Sequence, residues 1–310
     1  MTPPTPPAIH ADLHNHTTCS DGELSPRELV AAARDRGIPV IAVTDHDTIE
    51  GVAEAVAAGK ELGVTVVCGV EATVRFVTVL FRGSLHLLIY FPEPLLQDEA
   101  FVRGITDLLA MGRGEALTTA RIEAINREFG PCGVNPMLAR PLTEADVYRH
   151  GHRISRRHFA LALNDLGITD TAQVSTILGN DSPAYIPSGI PIEPIGPFLK
   201  RWPVVAVLAH PAAGSFPGES HYKEVLPPIE VVEKLLPEFL AIGIEGLEIP
   251  YPGHTIELQE RLRQIMTEKG LRVVTGGSDC HDRAGRPLGV AGITEAEYEV
   301  LRKRLSASGQ

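Results

Sequence analysis

Histidines and carboxylates recur along this chain at or next to the ends of short apolar segments. These segments have the length and β-branched composition of buried strands. In a barrel of parallel strands the carboxyl ends meet at one rim, so residues far apart in sequence come together there. Imidazoles and carboxylates gathered in this way form multi-metal hydrolytic centres. The sequence therefore predicts a metal-dependent hydrolase with the ligands His14, His16, Asp21, His46, Glu71, His86, His210, Asp279 and His281.

The apolar segments alternate with amphipathic helical ones at both ends of the chain, which is typical of parallel β/α units. The predicted strands lie at 8–16, 39–43, 64–71, 85–91, 204–210, 245–249 and 271–275. The predicted helices among them lie at 26–36, 48–62, 229–242 and 255–269. About seven such units indicate an α/β fold in the form of a closed or nearly closed barrel.

Residues 92–200 differ in character from both ends of the chain. Helical periodicity predicts one or two helices over 97–129, and shorter helices at 157–166 and 171–178. Five prolines and two glycines in residues 181–197 argue against a helix there and predict an extended loop. We therefore predict a mainly helical insertion domain over the active-site face of the barrel. The predicted domain bounds are 92–200 for the insertion, 8–91 and 201–310 for the barrel, and 1–7 for a disordered leader.

Composition argues against several classes of function. The formal charge of −11 is unsuited to a protein that coats nucleic acid, because such binding needs a basic surface. We therefore expect no DNA-binding surface. No segment has the roughly 20 apolar residues that span a bilayer, and the N-terminus lacks the pattern of a signal peptide. Four cysteines without paired spacing fit a reducing compartment, so we expect a cytoplasmic protein with no membrane partner.

The local setting of the proposed ligands supports the metal prediction. His14 and His16 are two residues apart on a predicted strand, so their side chains share a face and can hold one ion. Asp21 follows in a Ser-Asp-Gly turn, and His46 stands in Thr-Asp-His-Asp directly after a buried strand. One His-x-His pair alone is often a pair of surface or core histidines. Repetition at several strand ends is poorly explained by independent accidents.

These motifs closely resemble those of the PHP family, named for polymerase and histidinol phosphatase. The resemblance rests on Asp12-Leu-His-Asn-His16, Ser20-Asp21-Gly22, Thr44-Asp45-His46-Asp47, Gly69-Val70-Glu71, Ala209-His210-Pro211 and Gly277-Ser278-Asp279-Cys280-His281. It implies a distorted seven-stranded β/α barrel with a trinuclear metal site. Mn²⁺ would be typical, and Zn²⁺ or Fe²⁺ also suits such ligands. The implied ligand sets are His14, His16, Glu71 and Asp279; Glu71, His86 and His210; and Asp21, His46 and His281.

The predicted insertion resembles one branch of that family. The similar segments are Ser155-Arg-Arg-His-Phe-Ala160, Pro183-Ala-Tyr-Ile-Pro187 and Tyr251-Pro-Gly-His254-Thr255. The branch contains phosphoesterases that act on nucleoside monophosphates, on 3′,5′-bisphosphates or on short 5′-phosphorylated RNA. This chain has Arg157 where that branch usually has Pro, and Cys280 where Phe is commoner. These departures leave the implied ligands unchanged but make the substrate assignment less specific.

A basic cluster at residues 149–158 indicates where a phosphate binds. It contains four arginines and three histidines, without one acid. Arginine matches phosphate oxygens in two-point contacts, so we predict that Arg156 and His158 bind the substrate phosphate. The alternative is an ordinary solvated start of a helix.

The predicted mechanism is in-line attack on phosphorus by a hydroxide that bridges two metal ions. His254 follows a predicted strand, and we expect it to protonate the leaving oxygen, with an ordinary turn residue as the alternative. Three carboxylates beside the proposed ligands are expected to orient imidazoles, namely Asp12, Asp45 and Asp47.

Three functions remain open from the sequence. The basic cluster favours hydrolysis of a nucleotide phosphate ester, with a small nucleotide or a short 5′-phosphorylated RNA as substrate. A histidinol-phosphatase-like enzyme acting on a small amine phosphate would need little of that cluster. A catalytically idle metal-binding module is the third possibility, and the complete ligand set argues against it.

Overall fold

The computed structural model describes residues 9–151, 154, 156–217 and 226–307. The predicted leader at 1–7 lies outside the described residues, as do parts of the basic cluster, including Arg153 and the side chain of Arg157. The predicted domain bounds stay a prediction. Among the residues that the structure describes, no helix combines the length and apolarity needed to cross a bilayer.

In the described part of the chain, seven strands form one curled sheet whose spatial order follows the chain. They are β1 (Ala11–Asp12), β2 (Val40–Val43), β3 (Thr65–Val77), β4 (Arg82–Phe91), β5 (Val205–Leu208), β6 (Gly246–Glu248) and β7 (Val273–Thr275). β1 to β3 are parallel neighbours, as are β5 to β7. This confirms the predicted α/β fold with a distorted, seven-stranded curled sheet.

The prediction of parallel strands is wrong for β4, which runs antiparallel to both β3 and β5. Residues 78–81 alone join β3 to β4, whereas a parallel pair needs a crossover of about a dozen residues. His86 pairs with Thr73 across this hairpin. Because β4 is reversed, its first half lies at the rim where the parallel strands end, and His86 is thereby placed among the other predicted ligands.

The sheet curls until the segments beyond β1 and β7 meet. The backbone N–H of Leu13 donates to the carbonyl of Gly276 over 3.0 Å, and the N–H of His16 donates to the carbonyl of Cys280 over 2.9 Å. The approach requires glycine at position 277, where a Cβ atom would lie 2.4 Å from the backbone nitrogen of His14. This contact brings the first and last predicted ligands of the chain together.

Helices surround the sheet. Those in the described residues are α1 (Pro26–Asp35), α2 (Val52–Leu62), α3 (Glu99–Ala110), α4 (Glu115–Phe129), α5 (Glu144–Tyr148), α6 (Arg156–Asp165), α7 (Thr171–Leu178), α8 (Ile195–Arg201), α9 (Ile229–Ile242), α10 (Ile256–Lys269) and α11 (Glu295–Ala307). Local sequence sets several starts. Ser25 and Glu28 form a reciprocal capping box, and Pro26 occupies the first turn of α1.

The predicted segment 97–129 forms two helices, α3 and α4, which is one of the two predicted alternatives. The helices differ from the prediction elsewhere, and the extended loop at 181–197 gives way to α8 at Ile195. Pro197 fits the first turn of α8, where its missing N–H has no intrahelical partner to lose. α5 and α11 were not predicted. α5 is too short for periodicity to show and starts from a capping box of Thr143 with Asp146.

Buried apolar side chains form three clusters. The largest lies between the sheet and its helices and includes Phe101 of α3 and Phe198 of α8. A second fills the inside of the curled sheet around Leu88 and Tyr90. A third, around Phe129, belongs to residues 122–184. We call residues 115–186 the α4–α7 unit, because this stretch has a core of its own.

Candidate metal centre

The nine predicted ligands converge at one rim of the sheet, and together they are called the metal centre. The segments after β1, β2, β5 and β7 supply most of them, while Glu71 and His86 belong to β3 and β4. A pocket of about 180 Å³ opens above them. Its lining includes seven of the nine, namely Asp21, His46, Glu71, His86, His210, Asp279 and His281. His14 and His16 are buried.

Glu71 stands at the middle of the metal centre and is 1% exposed. Its Oε1 lies 2.9 Å from Nδ1 of His86 and 3.0 Å from Nε2 of His210. Its Oε2 lies 3.0–3.2 Å from one ring nitrogen of each of three further histidines, His14, His16 and His46. One carboxylate therefore contacts five imidazoles, which suits a ligand shared between ions.

Asp279 divides its two oxygens between different partners. Oδ1 lies 3.1 Å from Nε2 of His16 and 3.5 Å from Nε2 of His14. Oδ2 accepts hydrogen bonds from the hydroxyl of Tyr251 at 2.8 Å and from Nη1 of Arg286 at 3.0 Å. The outer oxygen is thereby anchored while the inner oxygen faces the histidines.

Asp21 lies at the open side of the metal centre, with its side chain 56% exposed. Its carboxylate oxygens lie 3.4 Å from Nε2 of His281, 3.6 Å from Nδ1 of His16 and 3.9 Å from Nε2 of His46. These longer separations leave room for an ion between the groups.

Three sets of ligand atoms each lie within 4.8 Å of one another. They are His14, His16, Glu71 and Asp279; His46, Glu71 and His86; and His16, Asp21, His46 and His281. The first matches the implied set. In the second His46 stands where the resemblance implies His210, although His210 also contacts Glu71 and lies 3.2 Å from Nδ1 of His86. Which residue binds which ion stays a prediction.

The chemistry of the donors fits divalent metal ions. Several buried nitrogen and oxygen atoms lie close to one another without forming a hydrogen bond among the described residues, including Nε2 of His14, both ring nitrogens of His16, Nδ1 of His46 and Oε2 of Glu71. Buried polar atoms without partners cost about 1–3 kcal/mol each, so a group of them at one point needs compensation. Imidazole and carboxylate donors without thiolate suit Mn²⁺, Zn²⁺ or Fe²⁺.

The electrostatics of the metal centre favour ionised carboxylates. Burial alone would raise the pKa of Glu71, but His14, His86 and His46 outweigh it and hold that pKa well below its usual value. The same balance, with burial opposed by His14 and His16, lowers the pKa of Asp279. Both carboxylates are therefore in the form that binds cations.

Sequence reasoning missed Glu248, which orients the ligands His14 and His210. Glu248 ends β6, is fully buried, and accepts a hydrogen bond from Nδ1 of His14 at 3.0 Å. Its other oxygen accepts from the backbone N–H of His210 at 2.8 Å. A bond at Nδ1 fixes the tautomer and leaves Nε2 of His14 directed at the metal centre. The sequence feature that could have identified Glu248 is the presence of an acidic residue inside the predicted apolar strand 245–249.

The expected role of Asp12, Asp45 and Asp47 is corrected, because their hydrogen bonds among the described residues go to groups of the rim other than imidazoles. Asp12 accepts from the hydroxyl of Ser278 at 2.5 Å, and Asp45 from the hydroxyl of Thr17 at 2.7 Å. Asp47 accepts from the N–H and hydroxyl of Thr73 and pairs with Arg113. These residues position ligands by fixing the backbone that carries them.

The backbone is strained at this rim. Among the described residues, three that are not glycine have positive φ, and they are Asp47 at 50°, His210 at 30° and Asp279 at 49°. Such conformations cost about 1–3 kcal/mol and persist only where surrounding contacts enforce them. Two of the three are predicted ligands, so the rim maintains an unfavourable backbone to present their side chains.

His254 is not placed as its predicted role requires. Its Nδ1 donates to the carbonyl of Ile249 at 2.8 Å, and its Nε2 accepts from the N–H of Ala212 at 3.1 Å. Burial lowers the pKa of His254 to about 4. With both nitrogens bonded to the main chain, the ring has no free proton for a leaving group. The arrangement favours a structural role that joins the loops after β5 and β6.

Arg156 lines a cleft of about 550 Å³ next to the metal centre. His86 and Leu226 line both the cleft and the pocket above the metal centre. Arg156 lies over the ring of Tyr185, 5.4 Å from its centroid, and donates to the side chain of Asn180 at 2.8 Å. Arg156 does not line the pocket above the metal centre.

The other charged members of the basic cluster that the structure describes lie outside the cleft. Arg149 and His150 both contact Asp165 of α6. His158 is half-buried on α6 and approaches Gly151, where a Cβ atom would lie 2.7 Å from its Nε2. Neither lining described above includes His158, so its phosphate contact stays a prediction.

Arg82 was also missed and adds a second cation to the cleft. It follows the hairpin turn at 78–81, and its guanidinium carbon lies 5.6 Å from the centroid of Tyr185. It donates to the main-chain carbonyls of Ser182 and Tyr185, which ties the proline-rich loop to β4. Two arginines and one aromatic ring thus form one wall.

Comparison with known proteins agrees with this geometry. Residues 12–117 match the PHP domain family. The chain is 29% identical to a 5′-3′ exoribonuclease of Haemophilus influenzae over 283 residues, covering 88% of this chain and 90% of the relative. It is 28% identical to a 3′,5′-nucleoside bisphosphate phosphatase of Chromobacterium violaceum, covering 90% of each. The solved structure of a candidate metal-dependent phosphoesterase from Bifidobacterium adolescentis has a TM-score of 0.63 and 29% identity, covering 97% of this chain and 98% of that one.

Proposed function

We propose that this chain, a metal-dependent phosphoesterase of the PHP family, hydrolyses phosphate esters of nucleotides. The proposed substrates are either small nucleotides or short 5′-phosphorylated RNA. The observation that carries the proposal is the cleft. It adjoins the metal centre through His86, and Arg82, Arg156 and Tyr185 are among its other lining residues. A substrate that extends beyond its reacting phosphate would therefore meet cations and an aromatic face.

The metal centre would hold up to three divalent ions, of which Mn²⁺ is the proposed identity. Glu71 contacts the histidines of two ligand sets and is the proposed bridging residue. When bound, such ions lower the pKa of water and neutralise charge on the phosphoryl oxygens. Glu248 keeps His14 in the tautomer that presents Nε2. Asp279, anchored at its outer oxygen, keeps its inner oxygen directed at the ligands.

The side chains that line the cleft suit the binding of a nucleotide. Its volume of about 550 Å³ is in the usual range for small-molecule sites. Arginine binds phosphate by charge-assisted hydrogen bonds, and aromatic faces stack on bases of any sequence. A small amine phosphate would fit the pocket of about 180 Å³ above the metal centre and leave this wall unused.

His254 is assigned a positioning role in this proposal. Its bonds to Ile249 and Ala212 hold together the two loops that carry His210 and Tyr251. Replacement should disturb the rim without removing a proton donor, so loss of turnover should not depend on how basic the leaving group is.

The test is a product assay by mass spectrometry on the Mn²⁺-loaded protein. The substrates are adenosine 3′,5′-bisphosphate, a short 5′-phosphorylated RNA and histidinol phosphate, supplied together. We expect release of phosphate from the bisphosphate or stepwise shortening of the RNA. Turnover of histidinol phosphate alone would overturn the nucleotide proposal. If metal-loaded protein consumed none of the three, a non-catalytic metal-binding role would be favoured.

A further inference from the structure

Arg286 lies at the metal centre itself, whereas Arg82 and Arg156 line the adjoining cleft and not this pocket. It lines the same pocket as Glu71 and His281. Among the described residues that line this pocket, it is the one lysine or arginine. Its side chain is 35% exposed. The guanidinium group is therefore partly removed from water but is still accessible from the pocket.

The contacts of Arg286 leave part of its guanidinium group available. Nη1 donates to Oδ2 of Asp279 at 3.0 Å, and this is its hydrogen bond within the described part of the chain. Arginine has five N–H donors in a planar fork, so donors remain beyond this contact. Asp279 turns its other oxygen toward His16. The same carboxylate therefore holds the guanidinium group beside the ligands.

A tight turn fixes where Arg286 stands. The carboxylate of Asp282 accepts from the backbone N–H groups of Ala284, Gly285 and Arg286. The N–H of His281 donates to the carbonyl of Arg286 over 3.2 Å, which closes the turn onto a predicted ligand. A cation held by both its backbone and its side chain is preorganised, and preorganised donors stabilise developing charge more effectively than mobile ones.

We propose that Arg286 is a catalytic residue that donates hydrogen bonds to the phosphoryl oxygens of the substrate at the metal centre. The inference rests on the proposed function in that both place a phosphate ester there. It assigns the reacting phosphate to Arg286 and leaves the wall of Arg82, Arg156 and Tyr185 to the rest of the substrate.

The test uses inorganic phosphate as the probe, so that it does not depend on which nucleotide is the substrate. Calorimetry measures phosphate binding to the Mn²⁺-loaded protein, and mass spectrometry measures its metal content. We expect Arg286→Met to weaken phosphate binding about 10- to 100-fold, with metal content close to that of the wild type. Arg286→Lys keeps the positive charge but loses the planar arrangement of N–H donors. Its phosphate affinity should therefore lie between those of the wild type and Arg286→Met.

Two variants serve as controls. Arg283→Met removes the same charge from the same turn, but Arg283 points outward to Glu28 at 3.6 Å and should leave phosphate binding unchanged. Tyr251→Phe removes the other hydrogen bond to Oδ2 of Asp279. If Arg286 acted only by holding Asp279, Arg286→Met and Tyr251→Phe would lower metal content alike, and phosphate affinity of the loaded protein would not change.

That result would overturn the proposal, as would unchanged affinity in Arg286→Met or the absence of phosphate binding in the wild type. Should Arg286→Met fail to fold, Arg286→Lys and Arg283→Met give the same comparison. The nucleotide proposal can fail separately. If Arg286→Met lost phosphate affinity and the wild type did not turn over nucleotides, the role of Arg286 would be supported. Only the assignment of nucleotides as substrates would be overturned.

Discussion

The metal centre and the α4–α7 unit differ in how strongly the structure constrains their side chains. The metal centre is built on strand ends, and Glu71, His14 and His16 are almost fully buried. Arg156 of the α4–α7 unit is exposed and is held by Asn180 and the ring of Tyr185. The first region has a separate core from the second. Under the proposed function, the reaction at the metal centre and the choice of substrate at the α4–α7 unit depend on parts of the protein with separate cores.

The largest expected effect comes from replacing the residue on which the metal centre converges. Glu71→Gln removes the charge that faces five imidazoles, so bound metal and turnover should fall together. The loss should exceed the roughly 10- to 100-fold typical of residues that only orient a ligand. Mass spectrometry of metal content checks the first effect and phosphatase kinetics the second. Glu61→Gln, an exposed carboxylate on α2, is the control, and equal metal content in both variants would contradict the assignment.

Glu248→Gln should have the next largest effect. Gln has no negative charge to interact with His14, and its amide nitrogen cannot accept a hydrogen bond. The tautomer of His14 is therefore held less firmly. We expect metal affinity to fall about 10- to 100-fold, measured by competition with a chelator. Glu245→Gln tests a neighbouring carboxylate that pairs with Arg304 and should retain full affinity. A loss confined to turnover, with metal affinity intact, would count against the positioning role.

Arg156→Met tests the role of the α4–α7 unit in substrate binding. Loss of one charge-assisted contact should raise KM for a nucleotide about tenfold or more, while metal content stays at the wild-type level. Arg149→Met is the matched control, because Arg149 pairs with Asp165 and does not line the cleft. If Arg156→Met lost metal, the two regions would not be independent.

His254→Gln should have the smallest effect on turnover, and its clearest signature is in stability. The folded-state pKa of about 4 lies below the ordinary 6.5, so His254 stabilises the fold fully above pH 6.5. That contribution is lost as pH falls from 6.5 toward 4, because the unfolded state takes up the proton first. The stability difference between wild type and variant, measured by denaturant unfolding in chelator, should therefore shrink with falling pH. A constant difference would show that His254 is not held neutral.

The strand ends made most of the fold and the metal-centre residues predictable. Apolar strands that are followed within a few residues by His46 or Asp279 combine a burial pattern with a chemical one, and both are local in sequence. The direction of β4 was missed because a hairpin and a crossover can begin with the same apolar run. Glu248 was missed since its partners, His14 and His210, lie far away in sequence. Arg286 was missed because the turn that brings it to Asp279 is not visible as a sequence pattern. The role of His254 depends on main-chain groups, which no sequence pattern displays.

A crystal structure of the Mn²⁺-loaded protein, with anomalous scattering at the manganese edge, would show directly whether the metal centre binds ions. We expect three peaks among the nine side chains of the metal centre, with Glu71 adjacent to two of them. A structure without a peak at Glu71, in which the histidines and carboxylates pair only with each other, would contradict this expectation.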